Sequence, residues 1–137
     1  MKIGFLTDKN GYRAPIHPES IEKYSLDVHL EKDIFEYLKY SESIQNNVKT
    51  ISKVSDLDIV ACVENIEDKK IKDLKEGAIL IGIFDFEKIE DIKNLRPDIK
   101  ILSFFKLPRI SRAQNLDALS SQANLLGYAS VLRAAKE

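Results

Sequence analysis

The chain has 137 residues with 21 basic against 22 acidic side chains, a formal net charge of -1, so no field of one sign exists to draw in nucleic acid or an anionic membrane. That length fits a single domain spanning residues 1–137, able to bury a core without disulfides or a structural metal. The one cysteine, Cys62, has no internal partner and sits in an apolar run, which suits a reducing, cytosolic setting.

Met1 to Leu6 turns polar too soon for a signal peptide, and no apolar run approaches the ~20 residues that span a bilayer. Lys2 to Leu6 reads instead as a first strand, closed by the turn signal Asn10-Gly11. Pro18, followed by Glu19 and Glu22, suits the first turn of a helix. Leu26, Val28 and Leu30 alternate with Asp27 and His29, which predicts a half-buried second strand at a sheet edge. Glu31 to Asn47 reads as a short helix and a loop, and Val48 to Val54 as a weak strand. The apolar runs Leu57 to Val63 and Ala78 to Phe84 mark strands covered on both faces. Between them, Ile66 to Glu76 predicts a helix stopped at Gly77. Phe86 to Leu95 predicts another, ended before Pro97, and Ile99 to Phe105 a last strand. Strands alternating with helices imply right-handed βαβ units in a three-layer α/β/α, doubly wound, mostly parallel sheet.

From Asn115 a long C-terminal helix is predicted, with Leu116, Leu119, Ala123, Leu126, Ser130, Val131 and Ala134 on one face. It reaches Glu137 without a glycine or proline stop, so it reads as a helix cut short. The loop before it, Pro108-Arg109-Ile110-Ser111-Arg112-Ala113-Gln114, follows the last strand, on the side of a doubly wound sheet where ligands sit. Two guanidiniums can grip an anion, Gln114 can donate and accept, and Asp117 and Ser120 can reach a bound hydroxyl or amide. The plain alternative stays open: Asp117 complements the helix dipole and Arg112 is a solvated charge.

The segment Arg109 to Tyr128, RISRAQNLDALSSQANLLGY, resembles the signature of the NAD(H)-binding component of proton-translocating NAD(P) transhydrogenase, a relative of alanine dehydrogenase. Met1 to Gly4, the run Arg13-Ala14-Pro15-Ile16-His17-Pro18 and the strand Asp58 to Val63 resemble that family's N-terminal, Rossmann-like domain more loosely. The resemblance implies that Arg109 contacts the dinucleotide and that Asp117 and Ser120 hold its nicotinamide end. Gln114 aligns NAD(H) against NADP(H) on a partner component, and Tyr128 lines the nucleotide site. Gln114 and Asp117 are thus the residues nearest the chemistry, which is hydride transfer governed by orientation. Implied partners are a second NAD(H)-binding domain, an NADP(H)-binding component, a membrane component that moves protons and a possible homodimer.

Two departures narrow that reading. The five glycines, at 4, 11, 77, 82 and 127, contain no G-x-G-x-x-G fingerprint, so the pyrophosphate cradle belongs to another domain and the isolated chain is expected to be inactive and to bind no cofactor tightly. Where alanine dehydrogenases carry a substrate-binding lysine this chain has Cys62, and their catalytic histidine has no counterpart between Ile81 and Phe86. The substrate domain of an alanine or saccharopine-type dehydrogenase is therefore the second reading, and a degenerate, non-catalytic binding domain the third. Arg13 matches the family's N-terminal arginine and is a candidate anion ligand, or else a loop residue tied to local carbonyls. His17 and His29 lack a second histidine at metal spacing, and Cys62 reads as a packing thiol. The lysines between Asp68 and Lys75 read as the wet face of a helix.

Overall fold

The computed structural model describes residues 1–8, 13–23, 27–34, 48–108, 110, 113 and 117–135. Six strands form one all-parallel sheet: β1 (Lys2–Phe5), β2 (Asp27–Leu30), β3 (Lys49–Thr50), β4 (Ile59–Ala61), β5 (Ile79–Gly82) and β6 (Lys100–Ser103), in the order β3-β2-β1-β4-β5-β6. Helices α1 (Pro18–Lys23), α2 (Asp68–Lys72) and α3 (Phe86–Leu95) supply side chains to the cores on the sheet, and α4 (Ala118–Ala134) follows with its described side chains exposed. That strand order reverses direction between β1 and β4, the switch point of a doubly wound fold.

Strand register sorts the side chains onto two faces, because neighbours in a parallel ladder point the same way. On one face Gly4 pairs with His29 and Val60, and Val60 with Leu80. There Val60 and Leu80 join Leu57, Ile71 and Leu74 beside α2, and Ile89 and Ile92 of α3, in the larger core. On the other face Phe5 pairs with Leu30, and Val28, Leu30 and Ile34 pack with Ile21 of α1. Ile79 and Ile81 on that second face are only half-buried and Leu102 is 56% exposed, so the cover there lies over β1 and β2.

Several boundaries differ from the sequence reading. The second strand is not an edge: β3 pairs with it through His29–Lys49 and Leu30–Thr50, leaving the two-residue β3 outside. Most of the Val48 to Val54 run is not strand, because Val54–Asp56 tightens into a 3-10 turn that brings Leu57 over β1. The helix after β4 stops at Lys72, short of Gly77, which instead takes a positive φ of 70° in the turn leading to β5. Helix α3 matches its predicted span residue for residue, started by Asp85, whose side chain accepts from Lys88 N at 2.8 Å. The predicted segment 35–47, and the residues 115 and 116 at which the last helix was expected to start, lie outside the described residues.

The long C-terminal helix is present, but not as an amphipathic element. Leu125, Leu126, Tyr128, Val131 and Leu132 are all at least half exposed and point in several directions around its axis. No described helix is long and apolar enough to cross a membrane.

Close packing over β1 makes one substitution diagnostic. A Cβ on Gly4 would stand 2.2 Å from Leu57 Cδ1, a side chain only 1% exposed. Gly4→Ala is expected to lower the free energy of unfolding by about 1–3 kcal/mol, read as a reduced urea midpoint at unchanged m-value.

Candidate functional site

Three loci share the carboxyl edge of the sheet. The first is the crevice at the switch point, where the chain leaving β1 meets the chain leaving β4. Asp8, 4% exposed, accepts from Asn65 N at 3.0 Å and from Arg13 Nη2 at 3.0 Å. Arg13 also forks onto Glu64, with Nη1 donating to Oε1 at 3.0 Å and Nη2 to Oε2 at 2.8 Å. Bonding first to Glu64 and then to Asp8 raises the guanidinium even further above its ordinary range. Beside this knot, Glu31 accepts from Thr7 N at 2.9 Å and Thr7 Oγ1 at 2.8 Å, and from Lys70 Nζ. Burial pushes the Glu31 carboxyl up, but the bonds from Lys70 and Thr7 outweigh it and hold the group below the usual glutamate range.

The second locus is a cavity of about 440 Å³ lined by Glu64, Asn65, Phe84, Asp85, Lys88 and Phe105, among others. Ser103 holds the lining residue Phe84 by donating to Phe84 O at 2.6 Å and accepting from Phe84 N at 2.9 Å. At its rim Phe86 and Phe105 meet edge to face at a centroid distance of 5.9 Å, and Lys106 Nζ lies 5.1 Å from the Phe86 ring centre.

A groove of about 580 Å³ forms the third locus, between the 3-10 turn Phe104–Lys106 and the start of α4. One side is apolar, with Phe104, Phe105, Leu107, Pro108 and Ile110; the other is polar, with Asp117, Ser120, Ser121 and Asn124. Asp117 is the N-cap of α4: it accepts from Ser120 N at 3.1 Å and from the Ser120 hydroxyl at 2.6 Å. Its backbone carbonyl accepts from the Ser121 hydroxyl at 3.2 Å. The cap therefore satisfies the helix terminus and at the same time fixes a carboxylate and two hydroxyls along the groove.

The structure brings together two of the residues singled out from sequence, Asp117 and Ser120. Tyr128, 68% exposed, does not line the groove, yet helical geometry puts it on the same face as Asp117, Ser121 and Asn124, about 6 Å beyond the last of these. Arg109 and Gln114, like Arg112, lie outside the described residues. Among the described residues, Arg13 is held by the carboxylates of Asp8 and Glu64, with both terminal nitrogens engaged. Lys70 is no solvated surface charge, since it turns toward Glu31. Cys62 is buried at the end of β4, where burial and then the charge of Asp8 push its thiol up to about 12. His17 is exposed; His29 is largely buried, its Nε2 3.2 Å from Asp27 Oδ1 without the alignment of a hydrogen bond. Among the described residues no group of His, Cys, Asp or Glu is placed to hold a metal ion.

No protein-family model matches the chain. Individual proteins do. The NAD(P) transhydrogenase subunit alpha of Haemophilus influenzae is 35% identical over 139 residues, covering 94% of this chain and 27% of that protein. In Rickettsia prowazekii the first portion of an NAD(P) transhydrogenase subunit alpha is 34% identical over 151 residues, covering 98% of this chain and 39% of that protein. The crystal structure of transhydrogenase from Sinorhizobium meliloti superposes on the whole chain with a TM-score of 0.83 at 25% identity. By sequence and fold the chain is similar to NAD(P) transhydrogenase alpha subunits, of which it spans roughly a quarter to two fifths, and to the Sinorhizobium transhydrogenase chain, of which it spans 45%. An L-alanine dehydrogenase structure shares the fold alone, with a TM-score of 0.60 at 15% identity over 81% of this chain.

Sequence reasoning missed the crevice acids Asp8, Glu31 and Glu64. A polar pair containing one acid directly after each apolar run, Thr7-Asp8 and Glu64-Asn65, was the available signal.

Two measurements follow from this geometry. Because the Glu31 carboxyl is lowered in the folded state, its stabilisation is complete above the ordinary value of 4.5 and fades as pH falls through the folded value. Wild-type urea midpoints should therefore drop between about pH 6 and about pH 3 by more than those of Glu31→Gln. Asp117→Ala should destabilise the first turn of α4 by about 1 kcal/mol and Asp117→Asn by much less, read as faster amide exchange at residues 118–121 in the alanine variant only.

Proposed function

We propose that this chain is the N-terminal half of the NAD(H)-binding component of an NAD(P) transhydrogenase, supplying one wall of the NAD(H) cleft and inert alone. The observation that carries the reading is the groove at the start of α4, with Asp117 and Ser120 on its polar edge, inside the segment that resembles the transhydrogenase signature. Relatives named as transhydrogenase alpha subunits support it.

The groove suits a nicotinamide. Its apolar wall of Phe104, Phe105 and Ile110 can take the flat ring, and its polar wall can take a carboxamide. The Asp117 oxygens accept from Ser120 N and from the Ser120 hydroxyl, which fixes the carboxylate on the polar side of the groove. Ser120, its proton committed to Asp117, presents an oxygen that accepts. NAD(H), when bound, supplies the hydride that passes to or from NADP(H). The chain's own residues orient the ring and exclude water, which is where the rate gain lies when both reacting carbons belong to cofactors. In this reading Arg109 contacts the dinucleotide, Gln114 faces the NADP(H)-binding component, and Tyr128 flanks the nucleotide from the next turns of α4. The partners are a glycine-fingerprint domain, an NADP(H)-binding component and a proton-translocating membrane component, with the chain on the cytoplasmic side.

Calorimetric titration of NADH into the isolated chain should give no binding tighter than about 1 μM, and a submicromolar constant would contradict the missing cradle. In the assembled enzyme, Asp117→Asn and Gln114→Asn should each slow hydride transfer by about tenfold or more. Unchanged rates in both variants would remove Asp117 and Gln114 from the site.

A further inference from the structure

The switch-point crevice is where a doubly wound sheet ordinarily receives its ligand, and here an arginine fork stands in it with both terminal nitrogens engaged. We propose that Glu64 is a specificity element: its carboxylate occupies the position on Arg13 that a small carboxylic acid would take, and so closes the crevice to such ligands. The inference does not depend on the NAD(H) reading.

The two acids on Arg13 differ in kind. Asp8 is buried and also holds Asn65 N, so it ties the β1 loop to the β4 loop. Glu64 is 38% exposed, meets the guanidinium end-on through both oxygens, and lines the 440 Å³ cavity. That end-on, two-bond arrangement is how a free carboxylate binds arginine. Asp8, Arg13 and Glu64 together carry one negative charge, so an incoming anion meets repulsion and not an available cation. Among the described residues near the trio, Lys70 is paired with Glu31, Lys88 stands 3.7 Å from Asp68, and the end of β4 offers the neutral thiol of Cys62. Removing the Glu64 side chain would neutralise the trio and open the Arg13 fork to the cavity, while Asp8 still holds the arginine in place. Asp85, Glu87 and Asp91 outnumber Lys88 on the remaining walls, which limits the affinity to be gained.

The test is titration of the full 137-residue chain with pyruvate by ligand-observed NMR, with circular dichroism confirming each variant's fold. Wild type should show no saturation to about 50 mM, whereas Glu64→Ala should bind with a constant of about 1–10 mM. Adding Arg13→Ala to Glu64→Ala should abolish that binding. Glu64→Gln, which keeps the shape without the charge, should bind more weakly than Glu64→Ala but detectably, and it decides the matter if the alanine variant does not fold. The proposal is overturned if wild type binds within threefold of the folded variants, if folded variants do not bind, or if binding survives loss of Arg13.

Discussion

A sheet whose strands all run parallel has to hide both of its faces, and that constraint governs the rest of the molecule. On the face under α2 and α3 it demands close approach. Gly4 leaves the space that Leu57 fills, and Gly82 leaves the space for the Phe84 ring, whose atoms would lie 2.4 Å from an added Cβ. With Val60, Leu80 and Ile101 on that face committed to apolar packing, many polar groups collect at the carboxyl edge. There the strands end and their carbonyls and loops face outward.

Along that edge the crevice, the cavity and the groove form one continuous belt. Glu64 belongs to both crevice and cavity, and Phe105 to both cavity and groove. The belt changes character along its length. At the β1–β4 end it is ionic and self-satisfied, each carboxylate meeting an arginine, a lysine, a hydroxyl or a backbone N–H. Beyond Phe105 it becomes a cleft with one apolar and one polar wall, which is the arrangement that takes a flat, partly polar ligand. The ionic end holds the β1 and β4 loops together.

Legibility in the sequence followed the range of the interactions. Helix α3 was readable from Phe86 to Leu95 because its cap, its apolar spacing and its stop are all local. Strands β4, β5 and β6 announced themselves as apolar runs between turn signals. By contrast, β2 was misplaced at an edge because its outer neighbour is only Lys49–Thr50, too short to carry a pattern. The crevice was hidden for a different reason: Arg13 and Glu64 are 51 positions apart, and Asp8 and Asn65 57, so no local spacing encodes them. Asp117 was readable as a cap and as a site residue, and the structure shows the cap, on the polar side of the groove. The apolar residues of α4 misled, since a one-sided stripe was expected and exposed residues occur around the helix.

The central position of β1 has a consequence for how the chain is made. Its two neighbours are both later in sequence: Lys2 pairs with Asp27, but Ile3 has to wait for Ile59. Synthesis proceeds toward the carboxyl terminus, so β1 leaves the ribosome ahead of both its neighbours and keeps one bare edge until β4 has followed. Bare strand edges invite pairing with the wrong partner. The buried tie between Asp8 and Asn65 can form only once β4 has been made, so it fastens β1 to the neighbour for which it waits longest.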